Sequence, residues 1–128
     1  MASAGGPPRV LLELLERERV LVRLDASTYV VILTHDPKFD LPALRSVLGK
    51  EVGYIGAIGS RKTNQNRFDK LRSEGFTDEQ LAVVHGPIGL DLGSRGAEET
   101  ALGIMAEVTA ARFGGTAVSM REKKAAAV

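Results

Sequence analysis

Apolar residues in this chain fall into short runs separated by amphipathic stretches. The clearest run is Tyr29-Val30-Val31-Ile32-Leu33, apolar throughout and rich in β-branched side chains. That pattern predicts a strand buried on both faces of a parallel sheet. Val52 to Ile58 predicts a second strand, Val83-Val84-His85 a brief third, and Val20-Leu21-Val22 another short one near the start. Between these runs the period changes. Val10, Leu11, Leu14 and Leu15 recur at helical spacing beside Glu13, Glu16 and Arg17, predicting a short amphipathic helix. Thr34-His35-Asp36-Pro37 ends the first clear strand, since Pro37 biases Asp36 away from helix. Asp40 then stands where it can cap a helix from Leu41 to Leu48, with Pro42 in its first turn and Gly49 closing it.

Further along, a helix is predicted from Arg61 to Ser73, with Phe68 and Leu71 facing inward and Gly75 as its stop. Thr77-Asp78-Glu79-Gln80 has the spacing of a capping box for a short helix. Ala101, Ile104, Met105, Val108 and Ala111 mark one face of a helix from Ala97 to Phe113, ended by Gly114-Gly115. Strands alternating with helices predict an α/β fold with an open parallel sheet. Its ligand crevice lies at the carboxyl ends of the strands, where His35, Gly59 and His85 fall. The chain divides into an extension over 1–23, the α/β domain over 24–114 and a loose tail over 115–128.

Length and charge narrow the partners. At 128 residues the chain has the size of one domain with a real core. Its formal net charge is +1 with both signs interspersed, unlike the concentrated basic face of a nucleic-acid binder. It contains no cysteine, which excludes a disulfide scaffold, a thiolate nucleophile and a cysteine zinc site. Neither a secretory signal nor a membrane-length apolar run is present, so the expected location is the cytoplasm.

The candidate chemistry lies in a doubled segment. Ile55-Gly56-Ala57-Ile58-Gly59-Ser60-Arg61 and Ile88-Gly89-Leu90-Asp91-Leu92-Gly93-Ser94-Arg95 each carry a glycine-rich turn into Gly-Ser-Arg, followed by a predicted helix. Such a junction offers free N–H groups, a capping hydroxyl and a guanidinium to an anion, and two of them suggest a ligand with phosphate-like groups. The bland alternatives are arginines that solvate exposed turns or pair with Glu98 or Glu99, and a run from Arg61 to Arg67 that is simply a solvated first helical turn.

Two common phosphate motifs fail here. Gly56 followed after four residues by Arg61-Lys62-Thr63 approaches a P-loop, but Arg61 stands where the second glycine must be. Gly53, Gly56 and Gly59 give G-x-x-G-x-x-G, which lacks the tight turn of the dinucleotide fingerprint. A nucleotide-binding enzyme or sensor using NAD or ATP therefore stands as the alternative reading. His35 and His85 carry imidazoles that titrate near neutrality, yet the ligand supply for a metal site is thin, and none is expected. Pro87, Gly89 and Gly93 shape a turn.

Three ordered segments, Tyr29 to Asp36, Tyr54 to Arg61 and His85 to Gly93, together with the helix from Glu98 to Arg112, resemble the C-terminal domain of the XdhC/CoxI family. These are accessory proteins for molybdenum hydroxylases such as xanthine dehydrogenase and carbon monoxide dehydrogenase. The resemblance spans about residues 24–114. It implies a three-layer Rossmann-like domain in a protein that binds molybdenum cofactor (molybdopterin) and delivers it to an apoenzyme, an accessory role without turnover of its own. It implies cofactor binding by His35, Asp36, Gly56, Gly59, Ser60, Arg61, Pro87, Gly89, Gly93, Ser94 and Arg95. Family members usually carry an N-terminal domain with a cysteine motif and open their Rossmann domain with a Gly-Ala-Gly-His loop; this sequence has neither. It reads as a partial domain lacking the first glycine-rich βαβ half, either a truncated or split member or one completed by another chain; a purely structural half-domain completed by a partner chain or a homodimer is the third reading.

Overall fold

The computed structural model describes residues 9–12 and 24–123. Four parallel strands form one sheet in the order β1-β2-β3-β4, with β1 at Arg9–Leu12, β2 at Thr28–Ile32, β3 at Tyr54–Ala57 and β4 at Val84–His85. Helix α1 (Pro37–Val47) joins β2 to β3. Helices α2 (Arg61–Ser73) and α3 (Asp78–Ala82) join β3 to β4, and α4 (Ala97–Phe113) follows β4. The result is an open α/β sheet of Rossmann type.

Every residue of β2 is buried, as its unbroken apolar run requires. Side chains alternate across a strand, so β2 and β3 divide the core between two faces. Val30, Ile32, Ile55 and Ala57 pack with Ala43, Leu44, Val47, Leu71 and Leu81 from α1, α2 and α3. Tyr29, Val31 and Tyr54 pack with Ile104 and Val108 of α4 on the opposite face. Leu44 and Val47 are fully enclosed, each worth about 1.5–3 kcal/mol relative to exposure.

The segment expected to begin a helix at Val10 is instead a strand over Arg9–Leu12, paired in parallel with β2 from Arg9↔Thr28 to Leu12↔Val31. A four-residue apolar run carries no decisive period, and pairing with β2 settles it. The rest of that predicted helix, and the strand predicted at Val20 to Val22, lie outside the described residues.

Helix α1 starts a turn earlier than its polar pattern suggested. Asp36, held extended ahead of Pro37, is the true cap, and its carboxylate accepts the Lys38 N–H at 2.9 Å. Asp40, predicted as the cap, is a fully buried residue inside the helix. The boundaries of α2 and α4 agree with their predicted spans. At α3 the capping box forms in both directions, Thr77 Oγ1 accepting from Gln80 N–H and Gln80 Oε1 accepting from Thr77 N–H. A bidentate contact from Arg45 to Glu74, at 2.7 and 2.8 Å, ties α1 to the end of α2.

Helix α4 turns differently about its axis from the predicted face. Ile104 and Val108 are buried as expected, but Met105, Ala101 and Ala111 are exposed, and Gly103 takes an inward position. A Cβ on Gly103 would stand only 2.9 Å from the Leu90 carbonyl oxygen, so glycine lets the Leu90 loop seat against the helix. After Gly114, at φ 71°, the Gly115 N–H donates to Ala110 O and the chain turns back to a 3-10 turn at Met120–Glu122.

Candidate functional site

Parallel pairing brings the carboxyl ends of β2, β3 and β4 side by side, with Ile32 opposite Ala57 and Gly56 opposite His85. The loops that leave them are Leu33–Asp36, Ile58–Ser60 and Gly86–Gly89. His35 is exposed on the first loop, whereas the Asp36 carboxylate is engaged in capping α1. On the second loop, Gly59 adopts φ +122°, a conformation L side chains avoid. Ser60 then caps α2, its Oγ accepting the Thr63 N–H at 3.0 Å.

Helix geometry leaves the Arg61 and Lys62 N–H groups without intrahelical partners. The first turn of α2 holds no acidic side chain, and Arg61 and Lys62 project exposed cations beside it. Neither cation makes an ion pair among the described residues. Amides without intrahelical partners, a positive helix end and two cations on a glycine-shaped turn are a donor set that can receive an anionic oxygen group.

The second Gly-Ser-Arg turn is not its equal. Helix α4 begins at Ala97 with Gly96 as its cap, so Ser94 stands outside the capping position. Ser94 Oγ donates to Glu99 Oε1 at 2.9 Å, and Gly93 N–H donates to Asp91 Oδ1 at 3.0 Å. Glu98 and Glu99 supply negative charge to the first turn of α4 from within the chain. This turn is therefore internally compensated. Gly93 bonds within its own loop, Ser94 bonds to Glu99 of α4, and Arg95 is exposed beside them.

Gly56 lies in β3 rather than in a loop, buried under Ile88 and the Tyr54 ring; a Cβ there would approach Tyr54 Oη to 2.7 Å. It gives room to its neighbours from within the sheet. Pro87 follows a cis peptide bond and is exposed, while Gly89 has φ +98°.

The residues that organise these loops did not stand out in the sequence. Arg67, which one of the two alternatives weighed there placed in a solvated first turn, is buried at 4% exposure. Its Nε donates to Asp40 Oδ2 at 2.7 Å, Nη1 to Ile58 O at 2.6 Å and to Asn64 Oδ1 at 2.9 Å, and Nη2 to Thr34 O at 3.2 Å. One guanidinium thus fastens the β2 loop, the β3 loop and α1 together. Asn64 completes the clamp by donating to the carbonyls of Gly59 and Ser60 at 3.2 and 3.1 Å. Its side chain also fills the space where Gly86 lacks a Cβ, linking the third loop. The available signal was positional: Asn64, Arg67 and Leu71 share one helical face, and Leu71 is core.

A second polar group lies on the α4 side. Glu107 Oε1 accepts the Tyr54 hydroxyl at 2.6 Å and the Gly89 N–H at 3.0 Å, and stands 3.4 Å from His85 Nδ1. The His85 ring stacks on Tyr54 with centroids 4.6 Å apart. Burial, then the hydrogen bond to Glu107, pushes the Tyr54 phenol well above its ordinary value. Glu107 thereby anchors the third loop by a backbone amide. Among the described residues, no group of three or more histidine, aspartate or glutamate side chains is placed to hold a metal ion.

Residues 6–108 match the family described as the XdhC Rossmann domain. The chain belongs to this family. The XdhC match starts ahead of residue 24, where the domain was expected to open, and takes in β1. The molybdenum cofactor insertion chaperone PaoD of Escherichia coli (strain K12) is 33% identical over 91 residues, covering 71% of this chain and 29% of that protein. The uncharacterized protein YqeB of the same organism is 29% identical over 82 residues, covering 64% of this chain and 15% of its own length. Among solved structures, that of a xanthine dehydrogenase from Bacillus halodurans superposes with a TM-score of 0.60 at 27% identity. That likeness covers 84% of this chain and 30% of the other. This XdhC chain thus spans less than a third of each of these relatives. No helix among its described residues is long and apolar enough to cross a membrane.

Proposed function

We propose that this chain holds molybdenum cofactor for insertion into a molybdenum hydroxylase, as an accessory protein rather than as an enzyme. The observation that carries the reading is the α2 N-terminus, where Arg61 and Lys62, without ion-pair partners among the described residues, flank Gly59 and Ser60 at the carboxyl edge of the sheet. A pterin phosphate, or the pyrophosphate of a dinucleotide form, matches that donor set in charge and geometry. Support comes from membership in the XdhC family and from the likeness to PaoD, a molybdenum cofactor insertion chaperone. The client in this reading is an apoenzyme of the xanthine dehydrogenase type.

In this arrangement Gly59, Ser60 and Arg61 grip the phosphate, and His35 and Gly89 border the rest of the ligand. Gly56, Pro87 and Asp36 shape the pocket through packing, turn geometry and capping. Gly93, Ser94 and Arg95 form a second wall whose charge is already balanced by Glu98 and Glu99. The test is a titration of the purified chain with molybdopterin, followed by fluorescence, alongside NAD and ATP in a thermal-shift panel. Arg61→Ala weakens molybdopterin binding by about tenfold if a charge-assisted phosphate contact of roughly 1.5 kcal/mol is lost. Tight binding that is indifferent to Arg61→Ala rejects this phosphate site. A melting shift by NAD or ATP with none by molybdopterin transfers the site to nucleotides.

A further inference from the structure

Helix α4 buries one face against the sheet and leaves the other bare. Leu102 is 62% exposed, Met105 53% and Phe113 70%, a density of large apolar surface found nowhere else on the described helices. At 3.6 residues per turn, Glu98, Leu102, Met105, Thr109 and Arg112 fall along one outward stripe with alternating spacings of four and three. Ala106 and Ala110 border it and form a shallow groove with Leu90, Ala117 and Val118. Small residues there let a second helix come close.

The stripe is also a palindrome of charge. Glu98 lies seven residues before Met105 and Arg112 seven after it. Neither makes an ion pair among the described residues, and the Arg112 guanidinium only rests over the Phe113 ring at 4.8 Å. We infer that α4 pairs antiparallel with α4 of a second copy of this chain, about a two-fold axis passing beside Met105. In that pairing Glu98 of each copy meets Arg112 of the other, Leu102 packs beside Thr109, and Met105 meets its own counterpart. An isologous contact requires such self-complementarity: an acid at one end, a base at the other and apolar residues between. The pairing also matches the macrodipoles, since each helix N-terminus meets the C-terminus of its partner. It does not rest on the cofactor reading: none of these residues borders the α2 turn, and Leu102, Met105 and Arg112, whose substitutions test the pairing, have no part in the proposed cofactor walls.

Sedimentation velocity of the whole chain over a range of concentrations reads the association directly. A concentration-dependent dimer is expected, abolished by the pair of exposed-face substitutions Leu102→Glu and Met105→Glu, with the thermal melt unchanged at concentrations low enough for the parent to be monomeric. Charge reversal supplies the specific signature. Glu98→Arg and Arg112→Glu each weaken the dimer by about tenfold through like-charge contacts, and the double reversal restores it. Met105→Cys forms an intermolecular disulfide on mild oxidation because the two side chains meet at the axis. A chain that stays monomeric at all concentrations overturns the inference, as does a dimer that the Leu102 and Met105 changes leave intact. Reversals that fail to rescue one another overturn the antiparallel register. Capture of a different protein or of vesicles by a monomeric chain also counts against it.

Discussion

Replacing Arg67 with methionine isolates the clamp behind the crevice. The side chains of Arg67 and Asp40 are only 3% and 1% exposed, so their ion pair belongs to the interior and solvent does not screen it. Among the described residues Asp40 Oδ1 has no hydrogen-bond partner, so its carboxylate depends on the guanidinium at Oδ2. Removing one partner of such a buried pair strands the other charge, at a cost of about 3–5 kcal/mol. A chain of this length has a total stability of roughly 6–19 kcal/mol at the usual value per residue. The loss is therefore a large share of the whole. With the unfolding entropy typical of about 130 residues, it lowers the melting temperature by roughly 10–20 °C.

Urea unfolding followed by circular dichroism measures the change, with an unaltered slope confirming that the folded state stays compact. The informative companion is Asp40→Leu with Arg67→Met. Exchanging both partners for apolar groups removes the stranded charge, so stability returns to within about 1–2 kcal/mol of the parent. The loops at Thr34 and Ile58 nevertheless lose their ties, so under the proposed function both the single and the double variant bind molybdopterin more weakly than the parent. A loss below about 1 kcal/mol in Arg67→Met, or a double variant no more stable than the single one, refutes the buried-clamp reasoning.

Two further outcomes follow from the α4 side of the sheet. Because burial and Glu107 raise the Tyr54 phenol, the folded chain keeps a proton that the unfolded chain releases near pH 10. This contribution is intact below that pH and is lost as pH rises above it, so Tyr54→Phe flattens the alkaline fall in urea stability. An unchanged slope in that variant contradicts the assignment. Gly56→Ala places a methyl group against Ile88 and 2.7 Å from Tyr54 Oη, an overpacking worth about 1–3 kcal/mol in calorimetry. A neutral substitution there means that the Ile88 loop is free to move aside.

The parts legible in the sequence were those whose determinants are local. The β2 run, the Thr77 capping box and the ends of α2 and α4 each follow from a few adjacent side chains. The rest depended on distant contacts. A four-residue apolar run becomes β1 only because β2 lies beside it. Asp40 and Arg67, twenty-seven positions apart, look like surface charges until the two helices bring them together. Helix α4 carries apolar residues around much of its circumference, so periodicity alone could not choose between Met105 and Gly103 as the inward side. The two Gly-Ser-Arg turns share letters, yet one abuts its helix and the other stops short of it, a difference set by the backbone between Arg95 and Ala97.

Two of the oxygens that Arg67 grips, those of Thr34 and Ile58, belong to the main chain. The same holds for the Gly59 and Ser60 oxygens held by Asn64, and for the Gly89 amide held by Glu107. Peptide groups are common to every residue, so these fastenings do not depend on which side chains the loops display. The scaffold can accept altered residues at positions such as His35 while the loop spacing stays fixed. Recognition can therefore drift or be redesigned without the fold being renegotiated, so the clamp makes the crevice evolvable.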